Sequence, residues 1–238
     1  MNDSREIIIS ADGSSTLKLN EFDECFHSIN GALSESLHIY LHSGLEFYIT
    51  SGKELTIFEM GFGTGLNAFL TFLYAKFHPY VKITYITIEK FPLREFEYKE
   101  LNYPERIASL PEYACMENYD KECMENHFLA LHKASWGSVQ NLLPNFSLEK
   151  VQGDLLDFEL APNKIDIIYY DAFSPNIQPE LWDTRLFGKL FHWMIPGGIL
   201  VTYSSKGIVK QALRDSGFMV KRLPGPAGKK HIVRAIRP

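Results

Sequence analysis

From residue 55 onward, short apolar runs alternate with stretches of helical spacing. Leu55-Thr-Ile-Phe-Glu-Met60 is a compact apolar run that ends in a glycine cluster, and it predicts a strand. Leu66, Phe69, Leu70, Leu73 and Phe77 then recur at the three- and four-residue spacing of one helical face, with Pro79 just beyond. Val81 to Glu89 is rich in β-branched residues and predicts a second strand. Leu148 to Val151 predicts a third, closed by Gly153-Asp154. Ile165-Asp-Ile-Ile-Tyr-Tyr170 predicts a fourth, nearly continuously apolar as a strand covered on both faces should be. Leu181 to Trp193 predicts a helix ended by Pro196-Gly197-Gly198, and Ile199 to Tyr203 a fifth strand. Lys206 to Ser216 predicts a helix capped by Gly217. Met219–Leu223 and His231–Ile236 predict a hairpin around Pro224-Gly-Pro-Ala-Gly228.

Strands alternating with helices imply an α/β fold, a Rossmann-like, mostly parallel doubly wound sheet with an antiparallel C-terminal hairpin. Residues 1–50 are polar with scattered apolar positions and are expected to be an N-terminal extension packing on a core of 51–238. Residues 92–146 are less regular and predict a helical insert, acidic over 109–135.

The composition agrees with a globular protein. The chain has 238 residues, 45% hydrophobic and 22% charged, which excludes disordered and fibrous classes. Three cysteines make no disulfide framework, and no Cys-x-x-Cys or paired-histidine spacing signals a metal. Cys115, Cys123 and His127 form only a loose cluster, so no metal site is expected. No basic leader with an apolar stretch is seen, and no apolar run nears the ~20 residues that span a bilayer. A cytoplasmic protein without membrane contact is therefore expected. The net charge is −5, yet Lys206 to Pro238 holds nine basic residues against Asp215 alone. Such a block is either an electrostatic footprint for a polyanion or the solvated faces of a helix and two strands.

In a doubly wound sheet, ligands sit beyond the carboxyl ends of the strands. After the first strand stands Glu59-Met-Gly61-Phe62-Gly63-Thr64-Gly65-Leu-Asn67. Its glycines allow a sharp turn and a close ligand approach, but the spacing is G-x-G-x-G and not the dinucleotide G-x-G-x-x-G. Glu59 suits a cation, such as the amino or sulfonium end of S-adenosylmethionine, better than a pyrophosphate. Glu89 follows the second strand, where a carboxylate can accept from both ribose hydroxyls, and Asp154 follows the third, where it can accept from an adenine amine. Together the three acids describe a nucleoside with a cationic amino-acid tail. After the fourth strand comes Asp171-Ala-Phe173-Ser174-Pro175. Asp171 can hold an amine and orient its lone pair, and Phe173 can wall a planar base; otherwise Asp171 caps a turn and Phe173 is core.

Glu59 to Asn67, Glu89-Lys90-Phe-Pro-Leu93, Gly153-Asp154, Asp171 to Pro175, Leu181-Trp182 and Pro196-Gly-Gly198 resemble the methyltransferase domain of MnmC-type enzymes. So do Asn30-Gly31 with Glu35 and the run from Tyr203 to Phe218, and the resemblance spans about Phe26 to Lys230. Gly228-Lys-Lys-His231 departs from the family's tail motif, and Ala172 and Ser174 stand where members often have Gly and Ala. The resemblance implies a class I S-adenosylmethionine-dependent methyltransferase that completes 5-methylaminomethyl-2-thiouridine at the tRNA wobble position. The likeness is to the stand-alone form, so a separate FAD-dependent oxidase would act on the same nucleoside. Glu59, Gly61, Phe62, Gly63, Thr64, Gly65, Asn67, Glu89, Lys90, Asp154 and Asp171 would then hold the cofactor. Asp171 and Phe173 would serve the chemistry. Glu35, Ser174, Pro175, Lys229 and Lys230 would meet substrate, with the basic C-terminal block on the phosphates of the anticodon loop. The residues leave open a methyltransferase or aminopropyl transferase for a small amine or a protein, and a non-catalytic cofactor-binding module.

Overall fold

The computed structural model describes residues 5–49, 54–114 and 120–238. The expected boundary near residue 50 and Cys115 lie outside the described residues. Among the described residues the strands are β1 (Arg5–Ile9), β2 (Ser15–Leu19), β3 (Glu24–Cys25), β4 (Glu54–Met60), β5 (Lys82–Glu89), β6 (Val139–Leu143), β7 (Phe146–Gln152), β8 (Ile165–Tyr170), β9 (Met194–Thr202), β10 (Met219–Pro224) and β11 (His231–Ile236). The α-helices are α1 (Ala32–Ser36), α2 (Leu66–Phe77), α3 (Glu95–Lys99), α4 (Tyr103–Ala108), α5 (Pro111–Ala114), α6 (Lys121–Lys133), α7 (Thr184–Trp193) and α8 (Gly207–Asp215).

Eight strands form one sheet in the order β10-β11-β9-β8-β4-β5-β7-β6. The five inner strands β9-β8-β4-β5-β7 pair in parallel. The chain leaves β4 toward β5 through α2 and returns on the other side at β8, so the order switches direction beside β4. β4 and β8 stay paired to their last residues, Met60 against Tyr170, and the connections that leave them run to opposite sides, which leaves a crevice beyond their carboxyl ends where ligands bind in such sheets. One face is covered by α2, α4, α6 and a wide π-helical stretch (Leu37–Glu46) continuing from α1. The other face is covered by α7 and α8. All six residues of β8 are buried, which is why its sequence reads as an unbroken apolar run.

The structure departs from the expected elements at four places. The insert is helical only through α6, because β6 adds an antiparallel edge strand on β7. Its residues are exposed or half-buried, so no alternating pattern marked it. The expected long helix is a short 3₁₀ turn (Pro179–Trp182) followed by α7, since Asp183 accepts the Leu186 N–H at 2.8 Å and starts a new helix. Pro196-Gly-Gly198 is not a break: β9 runs through it with a register shift against β8. A Cβ on Gly198 would lie 3.0 Å from the Asp166 carbonyl, so only glycine lets the strands approach there. The N-terminal residues form a small sheet, β1-β2-β3, that is tied to the insert by Arg106 donating to the Asp12 carbonyl (2.7 Å) and Asn102 accepting from the Ser15 N–H (2.8 Å).

The insert is anchored to the sheet by one buried cation. Lys150 on β7 is 1% exposed and donates to the carbonyls of Leu131 and His132 at 2.9 and 2.6 Å, capping the last turn of α6. Burial pulls its ammonium down from 10.5 to about 8. Between those two values the unfolded chain holds a proton that the folded chain has released, so the folded state gains stability as pH rises through the window. Urea midpoints measured at pH 7, 8, 9 and 10 should therefore climb for the natural protein relative to Lys150→Met. A difference between the two proteins that stays flat with pH would refute this.

Candidate functional site

The glycine loop after β4 holds three consecutive odd-numbered glycines at φ +85° (Gly61), +51° (Gly63) and +74° (Gly65), a region that side chains avoid. Gly61 N–H donates to the Ile88 carbonyl at 3.0 Å, and Gly63 N–H donates to Glu89 Oε2 at 3.0 Å, so β5 fixes the loop from one side. α6 fixes it from behind. His132 Nε2 lies 3.1 Å from the Thr64 carbonyl, and because a carbonyl only accepts, Nε2 carries the proton. Burial first, then the Lys150 charge, pushes His132 down to about 3, which keeps it neutral in this role. Its ring stacks on Tyr98 at 4.2 Å and meets Phe62 edge-on at 5.1 Å. A Cβ on Gly65 would fall 2.8 Å from His132 Nε2.

The loop borders a cavity of about 910 Å³ that opens to solvent over the carboxyl ends of β4, β5, β7 and β8. Of the residues expected to hold a cofactor, Gly61, Phe62, Gly63, Thr64, Asn67, Glu89, Lys90, Asp154 and Asp171 line it, as does Phe173. Gly65 sits behind the loop as the cap of α2. Glu59 lies beneath it, 1% exposed, and its Oε2 has no hydrogen-bond partner. Burial and then the nearby Asp171 raise the Glu59 carboxyl well above its usual range. Glu89 accepts from Gly63 and, at 2.8 Å, from the Phe91 N–H, which leaves a lone pair on each oxygen. Asp154 is bonded to Lys90 Nζ at 2.7 Å and to the Leu156 N–H at 2.9 Å.

A second cavity of about 710 Å³ adjoins the first and shares Phe26, His27, Asp171, Ala172 and Phe173 with it. Asp171 thus stands deep in the protein but open to both. Its Oδ2 accepts from Asn67 Nδ2 at 3.0 Å. Burial raises its carboxyl, against the pull of Tyr40, Asn67 and Lys229. The backbone around Phe173 is clamped by Trp182 Nε1–H donating to the Phe173 carbonyl (2.8 Å) and Tyr203 O–H to the Ala172 carbonyl (2.9 Å). Glu35 and Lys229, 194 residues apart, meet as an ion pair in the second cavity. Ser174, Pro175 and Lys230 line neither cavity. The Ser174 carbonyl instead closes a turn by accepting from Ile177 and Gln178.

Several residues of the site went unread. Phe26, from the N-terminal segment, meets Phe173 edge-on at 5.2 Å and roofs Gly63, where a Cβ would lie 3.3 Å from its ring. His27 and His132 had no motif of their own, and Tyr203 heads the family-like run to Phe218 without a site role expected of it. Cys123 and His127 approach to 3.5 Å, and among the described residues no group of three metal-ligating side chains forms. The C-terminal basic block is not one surface. Arg234 is 8% exposed against Phe47, and Arg237 holds the Met194 carbonyl and Asn163. Lys229 turns into the second cavity, while Lys221 and Arg222 are exposed on the edge strand β10, where charges deter strand pairing.

Residues 123–238 match the model of a family described as S-adenosyl-L-methionine-dependent methyltransferase. The chain is 28% identical, over 90% of its length, to a Pseudomonas fluorescens protein named tRNA 5-methylaminomethyl-2-thiouridine biosynthesis bifunctional protein MnmC. It is likewise 28% identical, over 97% of its length, to the protein of that name from Actinobacillus pleuropneumoniae. The chain spans about a third of the length of these curated relatives, 32% and 35%. The crystal structure of MnmC2 from Aquifex aeolicus superposes with a TM-score of 0.75 at 27% identity, covering 99% of this chain and 71% of that one. Spermidine synthase from Thermotoga maritima, at a TM-score of 0.61 and 13% identity over 98% of this chain and 69% of that one, shares the fold. These findings bear out the resemblance to MnmC, the class I methyltransferase fold and S-adenosylmethionine as its cofactor.

The cavity fits that cofactor: a cradle of left-handed glycines, a carboxylate at the end of β5 and an acid-rich floor suit a nucleoside with a cationic tail. Gly63→Val would force a side chain into φ +51° and against Phe26. It should weaken S-adenosylmethionine binding by at least about tenfold in calorimetry, and undiminished affinity would refute the placement of the cofactor at this loop.

Proposed function

We propose that the chain N-methylates the aminomethyl group of 5-aminomethyl-2-thiouridine at the wobble position of tRNA. The observation that carries this reading is the junction at Asp171, where a glycine-lined cavity meets a second, carboxylate-rich one. Bound S-adenosylmethionine supplies a methyl group on a positively charged sulfur. The remaining work falls to the chain's own residues. Glu89 and the loop amides fix the nucleoside end, and Glu59 and Asp171 oppose the positive charge of the other end. Asp171, at the junction, accepts a hydrogen bond from the incoming amine and orients its lone pair along the line between the cavities. Its raised carboxyl brings it closer to the range in which a carboxylate can also take the amine's proton. Phe173 and Phe26 wall the second cavity with aromatic surface for a planar base.

The relatives' names support tRNA as the carrier of that amine, and a wobble nucleotide in a loop is extruded at less cost than a paired one. A cytoplasmic location goes with this reading, and among the described residues no helix is long and apolar enough to cross a membrane. This reading also implies an FAD-dependent oxidase acting on the same nucleoside.

The direct test incubates the protein with labelled S-adenosylmethionine and tRNA from cells lacking it, followed by nucleoside analysis. Label should appear in 5-methylaminomethyl-2-thiouridine, and label confined to another nucleoside would overturn the substrate assignment. Asp171→Ala should lower kcat by about a hundredfold or more, in the usual range for a positioned acid–base group, with a much smaller change in cofactor affinity. Equal losses in both would make Asp171 a cofactor ligand alone.

A further inference from the structure

We propose that Glu35 and the ring face of Tyr203 form an ammonium subsite of the second cavity, and that Lys229 occupies it from within the chain until a substrate amine displaces it. The proposal rests on the amine-methyltransferase reading above and names the place where the amine first docks. Four carboxylates line this cavity, Asp23, Glu24, Glu35 and Asp171, and Lys229 is the one lysine or arginine among the lining residues. Asp23 is already paired with Lys18 at 2.6 Å. His27 is pushed down to about 4 by burial and adds no charge at neutral pH. The cavity is therefore a site for a cation, and the chain itself provides one.

The geometry around Lys229 is that of ammonium recognition. Nζ is bonded to Glu35, whose side chain is 6% exposed, and lies 4.3 Å from the centroid of the Tyr203 ring. A buried carboxylate and an aromatic face together are a general way to hold a desolvated ammonium. The subsite is aligned with the chemistry, because the Tyr203 hydroxyl donates to the Ala172 carbonyl next to Asp171, and the Lys229 charge is felt at Asp171. An ammonium moving from Glu35 toward Asp171 would approach the shared wall of the two cavities.

Lys229 is delivered by the turn between β10 and β11. Its own bonds are internal: Lys229 N–H donates to the Pro226 carbonyl at 3.0 Å and Gly225 N–H to the Lys230 carbonyl at 3.2 Å. Outside the turn it is held by His38 Nε2 on the Pro224 carbonyl at 2.8 Å and by Gly228 lying against Asn30. The turn can swing as a unit with its internal bonds intact. A cavity whose competent form is a minority of the population binds more weakly in proportion to that fraction, so removing the internal ligand should tighten amine binding.

The test uses the full chain saturated with S-adenosylhomocysteine and the free nucleoside 5-aminomethyluridine as the probe. Calorimetry should show about tenfold tighter binding to Lys229→Met than to the natural protein, and the double variant Lys229→Met, Glu35→Gln should lose that gain. Binding to Lys229→Met that is equal to or weaker than natural would overturn the proposal, since a phosphate contact or a structural brace predicts no gain. Should Lys229→Met fail to fold, amine labelling of the natural protein read by mass spectrometry decides instead. The nucleoside should increase labelling of Lys229, and protection of Lys229 by the nucleoside would overturn the proposal. Failure of the functional reading is read separately. A protein that gains amine affinity on Lys229→Met yet never methylates tRNA keeps the subsite and loses the function, whereas one that methylates tRNA without that gain keeps the function and loses the subsite.

Discussion

The structure turns on a backbone held in a conformation it would not choose alone. Three left-handed glycines follow β4, and each is restrained by a different neighbour: Gly61 by β5, Gly63 by Glu89, and Gly65 by the crowding of His132. Besides the Gly65 N–H on the Phe62 carbonyl at 2.8 Å, the loop is held by bonds to the elements around it, so its shape is in large part theirs. That makes the insert part of the site. α6 presents His132 to the Thr64 carbonyl, and Lys150 ties the end of α6 to β7 beside it. A charge on the central sheet thereby helps to hold a loop that carries no charge at all.

The second constraint is electrostatic. Glu59 and Asp171 are both pushed upward, each by burial first, and at Asp171 the Lys229 charge opposes that shift only in part. Buried carboxylates left this way cost stability and are kept where a cationic ligand repays them. The same holds for Glu35, which is met by Lys229 from the far end of the chain. Cation demand in one cavity and cation demand in the next, with Asp171 between, fits the proposed meeting of an amine with a positively charged sulfur, two groups that would otherwise repel.

The parts legible in the sequence were those with local causes. β8 was readable because both its faces are buried, and α2 because one face of it is apolar at regular spacing. The strand-end acids were readable because topology fixes where strand ends point. What escaped was set by contacts distant in the chain. β6 is an edge strand whose pairing is decided by β7, and the split before α7 depends on one capping bond from Asp183. Phe26, His132 and Tyr203 reach the site from an N-terminal segment, an insert and the end of β9, with nothing in their local sequence to announce a role there. Glu35 and Lys229 were each picked out in the sequence, but nothing in it brings residues 194 apart together.

The C-terminal basic block shows how charge along a chain differs from charge in space. Read linearly, nine basic residues against one acid suggest a single patch for phosphate. In the fold, two arginines are drawn inward or onto the amino-terminal edge of the sheet, two residues guard an edge strand, and one lysine enters the second cavity. A hairpin at a sheet edge alternates its side chains between faces, so a run of like charge on it is divided by the pleat. The cations at the carboxyl ends of the strands are engaged as well: Lys90, at the mouth of the first cavity, is paired with Asp154, and Lys206 bonds Asn176 in the segment that follows Asp171. Charge that is contiguous in the sequence is thus distributed over separate local contacts in the fold.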